Sequence, residues 1–337
     1  MPVTLKDIAQ RTGFSINTVS LVVNGKGSVA EKTRKIIEEC AKELGYVTNY
    51  SAKKLRLGSS HILALIIDDL INPYFSAIAD EIITYASKYN YMVSIFVNKG
   101  DYYQEKNAIS YAISLGADGI LWMPTQDKSD SASLLSKSGI PYVLIDRSFD
   151  ETNRNLSVIY DETRIGHLSA EHLILNGHSS VIFLNSEENL YSSKYRLRGI
   201  ISAFSTYGKG FNYDNVFNLP MNVHSYRHFF SEKIKEIAQK CTAIICYNDY
   251  IAAETAYYLS TLGLSVPNDI SLIGFGNIQK NMSFLPKLTT IDSMEKRISM
   301  VAVDMLIDKI NGKTPQTQTI LPVSLVEGSS VLNLYNK

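Results

Sequence analysis

The chain is short of the residues that build disulfide-stapled or membrane-embedded proteins. Its 337 residues include only three cysteines, Cys40, Cys241 and Cys246, which cannot all pair and form no CxxC. They read as reduced thiols used for packing, which points to a cytoplasmic protein. No apolar signal region opens the chain, and no apolar run is long enough to span a bilayer. Enzyme signatures are missing too. The string Gly25-Lys26-Gly27-Ser28-Val29-Ala30 follows a helix rather than a strand, so it has no dinucleotide geometry to use. Gly312-Lys313-Thr314 resembles the end of a phosphate loop, but Ile307 stands where the first glycine belongs. There is no GxSxG elbow. His224 and His228 share a helix face without further metal ligands. Asp68 and Asp69, as neighbours on a strand, would point to opposite faces. Nothing nominates a reaction, a metal or a cofactor.

The absence of net charge is deceptive. The formal charge is zero overall, yet residues 1–60 hold ten basic and five acidic side chains, a net of +5. A basic head on an acidic body points to a polyanion at the head.

Residues 4–24 show why. Thr4 caps a first helix and Asp7 places a carboxylate near its positive end. Leu5, Ile8 and Ala9 share one face. Gly13 breaks that helix, Ser15 caps a second, and Val19, Val22 and Val23 return to one side. Two short helices around a glycine turn are the pattern of a helix-turn-helix DNA reader. Ser28 and Glu31 form a capping box for a third helix carrying Ile36, Ile37, Cys40, Ala41 and Leu44, closed by Gly45. Residues 48–58 could add about two turns, too short to stand alone in water.

From residue 61 the grammar changes. Apolar runs at 62–67, 92–97, 119–123, 142–145, 158–160, 181–184, 243–246 and 270–275 alternate with helical stretches. Such alternation means parallel sheets covered on both faces, and the element count suggests two units divided near residue 161. Two doubly wound units would surround a shared cleft with their strand ends. Those loops are rich in Asn, Asp, Arg and aromatic residues, which suits a polyhydroxylated or heterocyclic small molecule. Trp122, the single tryptophan, is expected at a strand end beside that cleft.

Taken together, the motifs resemble the lactose/galactose repressor (LacI) family of bacterial transcription regulators over essentially the full length. The matching stretches include residues 4–9 (TLKDIA), 15–24 around Thr18-Val19-Ser20, 29–34 (VAEKTR), Leu44-Gly45-Tyr46 and 52–55. Further on come Asn72-Pro73-Tyr74-Phe75, Gly177-His178, Arg196-Leu197-Arg198-Gly199, Asn248-Asp249, residues 266–271 (VPNDIS), Ile273-Gly274-Phe275 and Leu288-Thr289-Thr290-Ile291. The resemblance implies a three-helix head-piece at 1–46, a hinge helix at 47–59 and an α/β core at 60–337 of periplasmic-binding-protein type. The N-lobe would take 60–160 and 292–320, the C-lobe 161–291 and 321–337. It also implies a homodimer on a pseudo-palindromic DNA operator, regulated by a small effector, a sugar or sugar phosphate, in the cleft. A nucleobase or protein co-regulator is the alternative. A cytosolic small-molecule-binding protein with no DNA role is the rival from another class.

By the same resemblance, Ile16, Asn17 and Leu21 stand at base-reading positions, with Thr4, Ser15, Thr18, Ser20 and Asn24 as phosphate contacts or caps. Leu55 would be a minor-groove wedge, with Lys53, Lys54 and Arg56 on flanking phosphates. Tyr74, Phe75, Asp146, Arg147, Arg196 and Asn248 fall at effector positions. Three residues depart from the pattern. Leu21 replaces a common Arg or His, and can meet a thymine methyl but not donate to guanine. Thr48 replaces a frequent proline. Gly276 replaces an Asp that grips ligand hydroxyls, leaving Asn277 or Asn281 as substitutes.

Overall fold

A computed structural model describes residues 3–25, 27–47, 58–125, 130–149, 155–188, 190–220, 223–280 and 286–336. The chain forms two compact units, 1–60 and 61–337.

The first unit holds helices α1 (Leu5–Thr12), α2 (Ile16–Val23) and α3 (Glu31–Glu43). Gly13 takes a left-handed φ of 74° at the end of α1, where its N–H closes on Ala9 O, a conformation glycine adopts at little cost. Ser15 Oγ accepts from Thr18 N at 3.1 Å and starts α2. Ile8, Ala9, Val19, Val22, Ile37 and Cys40 meet as a small core. The third helix starts later than its capping box predicts. Its N-cap is Ala30, without a side-chain cap bond, and Glu31 is its first residue. Ser28 is exposed in the preceding turn.

The second unit contains two six-stranded sheets. The first runs β11-β5-β4-β3-β1-β2, from β1 (Ile62–Ile67), β2 (Met92–Val97), β3 (Gly119–Trp122), β4 (Tyr142–Ile145), β5 (Ser157–Tyr160) and β11 (Gln318–Leu321). The second runs β12-β10-β9-β8-β6-β7, from β6 (Val181–Asn185), β7 (Val216–Asn218), β8 (Ala243–Cys246), β9 (Ser271–Phe275), β10 (Thr289–Asp292) and β12 (Ser324–Val326). All pairings are parallel except β10 with β12. The helices are α4 (Pro73–Ser87), α5 (Tyr102–Leu115), α6 (Asp130–Ser138), α7 (Glu162–Leu175), α8 (Tyr191–Thr206), α9 (Val223–Lys240), α10 (Asp249–Thr261) and α11 (Glu295–Ile310). β3 is wholly buried, as are the apolar residues of β6 and all of β1 but Ile62, as sandwiching between helix layers requires.

The chain passes between the sheets three times. It crosses between β5 and α7, between β10 and α11, and again between β11 and β12. The core of the first lobe runs through this junction, so Phe275, Ile278 and Ile291 pack in one cluster with Leu65, Tyr74 and Ile298. Among the described residues, no helix is long and apolar enough to cross a membrane.

Candidate functional site

In the head-piece, Ser15, Ile16, Asn17 and Leu21 are exposed on α2. Ile16 and Leu21 are 50% and 42% exposed, so two large apolar side chains face outward from a small domain with apolar surface to spare. Thr18 is half-buried and its hydroxyl sits 2.9 Å from Ser15 Oγ. Ser20 is buried, and Asn24 Nδ2 donates to its carbonyl at 2.6 Å. Those two residues close the C-terminal turn of α2. Leu21 also touches the next turn, for a Cβ on Gly27 would lie 3.3 Å from its Cδ2. Thr4 Oγ and N both donate to Asp7 at 2.7 Å, and these bonds hold the Asp7 carboxyl below its usual range. The expected hinge residues Lys53, Lys54, Leu55 and Arg56 lie outside the described residues, as does Asn281.

In the core, the strand ends of both sheets supply a buried polar cluster. Asn72 caps α4, accepting from Tyr74 N at 3.1 Å, with Pro73 fixing the first turn. Tyr74 then donates its hydroxyl to Asp146 Oδ1 at 2.7 Å. Arg147 donates to Asp68 Oδ2 at 2.6 Å and to Pro124 O at 3.0 Å. Arg196 donates through Nε to Glu162 Oε2 and through Nη1 to Tyr247 O. Its guanidinium lies 4.1 Å from the Phe275 ring centre and 4.4 Å from that of Tyr247, within cation–π range. Asn248 caps α10, accepting from Ile251 N at 2.8 Å.

Burial sets the charge states. It pushes the Glu162 carboxyl up to about 7, against the pull of Arg196. It also raises Asp68 despite Arg147. Burial opposes the charge on both arginines, but the Asp68 and Glu162 carboxylates outweigh it and keep both guanidinium groups protonated. Tyr74 is held neutral by burial and by Asp146. Glu162, the group raised to near neutrality, has a side chain only 1% exposed and bonded to Arg196 and lines neither cavity, so toward the cavities the cluster offers fixed donors and acceptors.

Two adjoining cavities open here. One of about 390 Å³ is lined by Asp68, Asp69, Asn72, Phe75, Lys99, Arg147, Tyr226, Tyr247, Asn248 and Tyr250, among others. The other, about 20 Å³, lies among Tyr74, Phe75, Asp146, Arg147, Arg196, Asn248 and Phe275. The first has the size of a small-ligand pocket and the second holds roughly one water. The six residues Tyr74, Phe75, Asp146, Arg147, Arg196 and Asn248 are thus brought together. Asn277 lines neither cavity. It is buried with a φ of 53°, and its N–H donates to Thr290 Oγ at 3.4 Å.

Several lining residues escape the sequence reading. Asp68 follows the last residue of β1, so strand alternation does not set it apart from Asp69, which opens a loop expected at the cleft. Asp69 Oδ1 accepts from Ile71 N and Asn72 N at 2.7 Å each. Tyr247 and Tyr250 flank Asn248 in sequence, which is the available signal, whereas Tyr226 on α9 carries none. Trp122 is not beside the cleft. It is fully buried, donates Nε1 to Glu105 at 3.0 Å and packs on Phe149 and Tyr142.

Residues 60–327 match the model described as periplasmic binding proteins and sugar binding domain of LacI family, and residues 4–49 match bacterial regulatory proteins, lacI family. The chain belongs to the LacI family of bacterial regulatory proteins. As a member of that family it is a DNA-binding transcription regulator and not an enzyme. It is 28% identical over 333 residues to the HTH-type transcriptional repressor PurR of Aliivibrio fischeri (strain MJ11), covering 98% of each chain. It is 30% identical to that of Pasteurella multocida (strain Pm70), covering 94% of this chain and 95% of the relative. A lac repressor dimer bound to operator and the anti-inducer ONPF superposes with a TM-score of 0.82 at 25% identity, covering 98% of this chain and all (100%) of that one. A CelR–cellobiose complex, at a TM-score of 0.73 and 20% identity over 97% and 99% of the two chains, shares the fold.

Proposed function

We propose that this LacI-family regulator is a repressor that binds a pseudo-palindromic operator as a homodimer in the cytoplasm, under control of a planar, nucleobase-type effector in the interlobe cleft. The wall of the larger cavity carries the effector half of this reading. Phe75, Tyr226, Tyr247 and Tyr250 line it beside Asn72, Arg147 and Asn248. Aromatic rings cover the apolar face of a flat ring, while a few amides and a guanidinium address its edge. Gly276 removes the carboxylate that would grip sugar hydroxyls. The relatives named as PurR repressors, rather than sugar-responsive ones, support the same choice. The expected sugar or sugar phosphate is retained as the second reading, because the Asn72 and Asn248 amides also suit hydroxyl groups.

On the DNA side, Asn17 is the main polar reader on α2, with Ile16 and Leu21 offering apolar contact to thymine methyls. Thr4, Ser15 and Thr18 would meet phosphates, and Lys53, Lys54, Leu55 and Arg56 the minor groove and its flanks. Ser20 and Asn24 would act by holding the end of α2 in place.

The test is selection of bound fragments from random DNA, then gel shifts on the recovered site with adenine, guanine, hypoxanthine, ribose and cellobiose present. A base that changes operator affinity while the sugars do not supports the reading; the reverse pattern replaces it with the sugar reading. A chain lacking residues 1–58 should keep effector binding and lose the operator.

A further inference from the structure

The charged residues of the larger cavity are not equally free. Four of its fifteen lining residues carry charge: Asp68, Asp69, Lys99 and Arg147. Asp68 and Arg147 are bonded to each other at 2.6 Å. Asp69 is held by two backbone N–H groups. Lys99 is exposed and has no hydrogen bond or ion pair to its side chain among the described residues, so it is the lining cation that a ligand can engage without breaking a bond.

The backbone holds Lys99 there deliberately. Its φ is 55°, in the left-handed region that a lysine seldom occupies. The flanking bonds enforce it: Asn98 N donates to Ile67 O at 3.0 Å, Lys99 N to Asp68 O at 2.7 Å, and Gly100 N to Asn98 Oδ1 at 2.9 Å. Backbone conformations of this kind persist where surrounding structure over-determines them, and functional sites are where they concentrate. Two further features bear on the ligand. The N-terminal caps of α4 and α10, Asn72 and Asn248, both line the cavity, so two helix dipoles begin beside it. The Arg147–Asp68 pair keeps a buried Nε and a buried Oδ1 with no partner, so it offers one donor and one acceptor beside Lys99.

We infer that the effector carries an anionic oxygen group, a phosphate or a carboxylate, and that Lys99 binds it. The inference rests on the reading of the cleft as the effector site and narrows the ligand within it.

The experiment uses the full chain and three matched pairs of probes, followed by calorimetry or thermal shift: adenosine with adenosine 5′-monophosphate, uracil with orotate, and glucose with glucose 6-phosphate. In at least one pair the anionic member should bind about tenfold more tightly than its neutral partner, the scale of one charge-assisted hydrogen bond. Lys99→Met should erase that preference. Lys99→Gly should erase it too while leaving the unliganded protein at least as stable, since glycine suits the left-handed backbone. Phosphate and carboxylate are told apart by which pair responds. A preference that survives Lys99→Met, or neutral members binding as tightly as anionic ones, overturns the inference; in the latter case adenosine or uracil binding would still support a nucleobase-type effector. If only glucose 6-phosphate binds, in a Lys99-dependent way, the inference stands and the nucleobase reading falls. Silence from all six probes overturns both.

Discussion

The two lobes bury an arginine beside the same cleft by different means. Their sheets share one strand order, β2-β1-β3-β4-β5-β11 against β7-β6-β8-β9-β10-β12. In the N-lobe, Arg147 and its partner Asp68 both sit on loops, which leave the ends of β4 and β1 on either side of β3. In the C-lobe, Arg196 and Glu162 sit on helices α8 and α7, which touch backbone to backbone. A Cβ on Gly199 would collide with Thr163 O, and one on Gly166 with Arg196 O. The N-lobe guanidinium is therefore placed by loop hydrogen bonds, the C-lobe one by helix packing. The lesson is that one lobe can adjust its arginine by shifting a loop, while the other must move a helix.

Removing either arginine should have the largest effect, since it strands a buried carboxylate. Arg147→Ala and Arg196→Ala should each cost about 3–5 kcal/mol, read by urea denaturation of the purified protein. Matching losses would show that both pairs bear equally on the fold, whereas a cost below 1 kcal/mol for either would mean its carboxylate finds water or another partner. Gly199→Ala should cost about 1–3 kcal/mol through overpacking. It should also weaken effector binding, because the carbonyl and guanidinium of Arg196 move with α8. Normal effector affinity in that variant would contradict the helix-placed role. Tyr74→Phe deletes one hydrogen bond to a buried carboxylate, a loss of about 1–3 kcal/mol, and a neutral outcome would indicate that Asp146 is rebonded.

The subtlest contrast is with pH. Glu162 is held up to about 7 against an ordinary 4.5. Between those values the native state keeps a proton the unfolded chain has released, so stability is full at the acid end and falls as pH rises through 7. Asp68 shifts in the same direction. Urea midpoints measured from pH 5 to 8 should fall, and Glu162→Gln should flatten the fall more than Asp68→Asn does. A midpoint that climbs with pH across that range would reverse the sign of the effect.

Much of this architecture is legible in the sequence. The helix-turn-helix, eight apolar strands and six converging cleft residues can be read because each leaves a periodic or motif-level mark. Other parts left none. β7, β11 and β12 are short strands at sheet edges, where water satisfies one side and no apolar run is needed. β10 reads Thr-Thr-Ile-Asp, too polar to stand out. α6 is rich in serine and reads as loop. Ser20 and Asn24 are polar residues on a DNA-facing motif, and only the burial of Ser20 and their mutual bond show that they serve the helix end. Asp68 leaves no mark because strand alternation points it away from Asp69, whereas β1 ends before both, at Ile67. Trp122 fell at a strand end, but the carboxylate that draws its indole inward, Glu105, comes from a different element.

One feature of the core bears on how it would break. Residue 161, residues 293–294 and residues 322–323 are the whole of the chain between the elements of its two lobes. Three covalent tethers mean that a protease cutting any one of them releases no fragment and frees neither lobe. A nicked core should migrate as a single species under native conditions and separate only in denaturant. Circular permutants opened at one crossing should fold for the same reason.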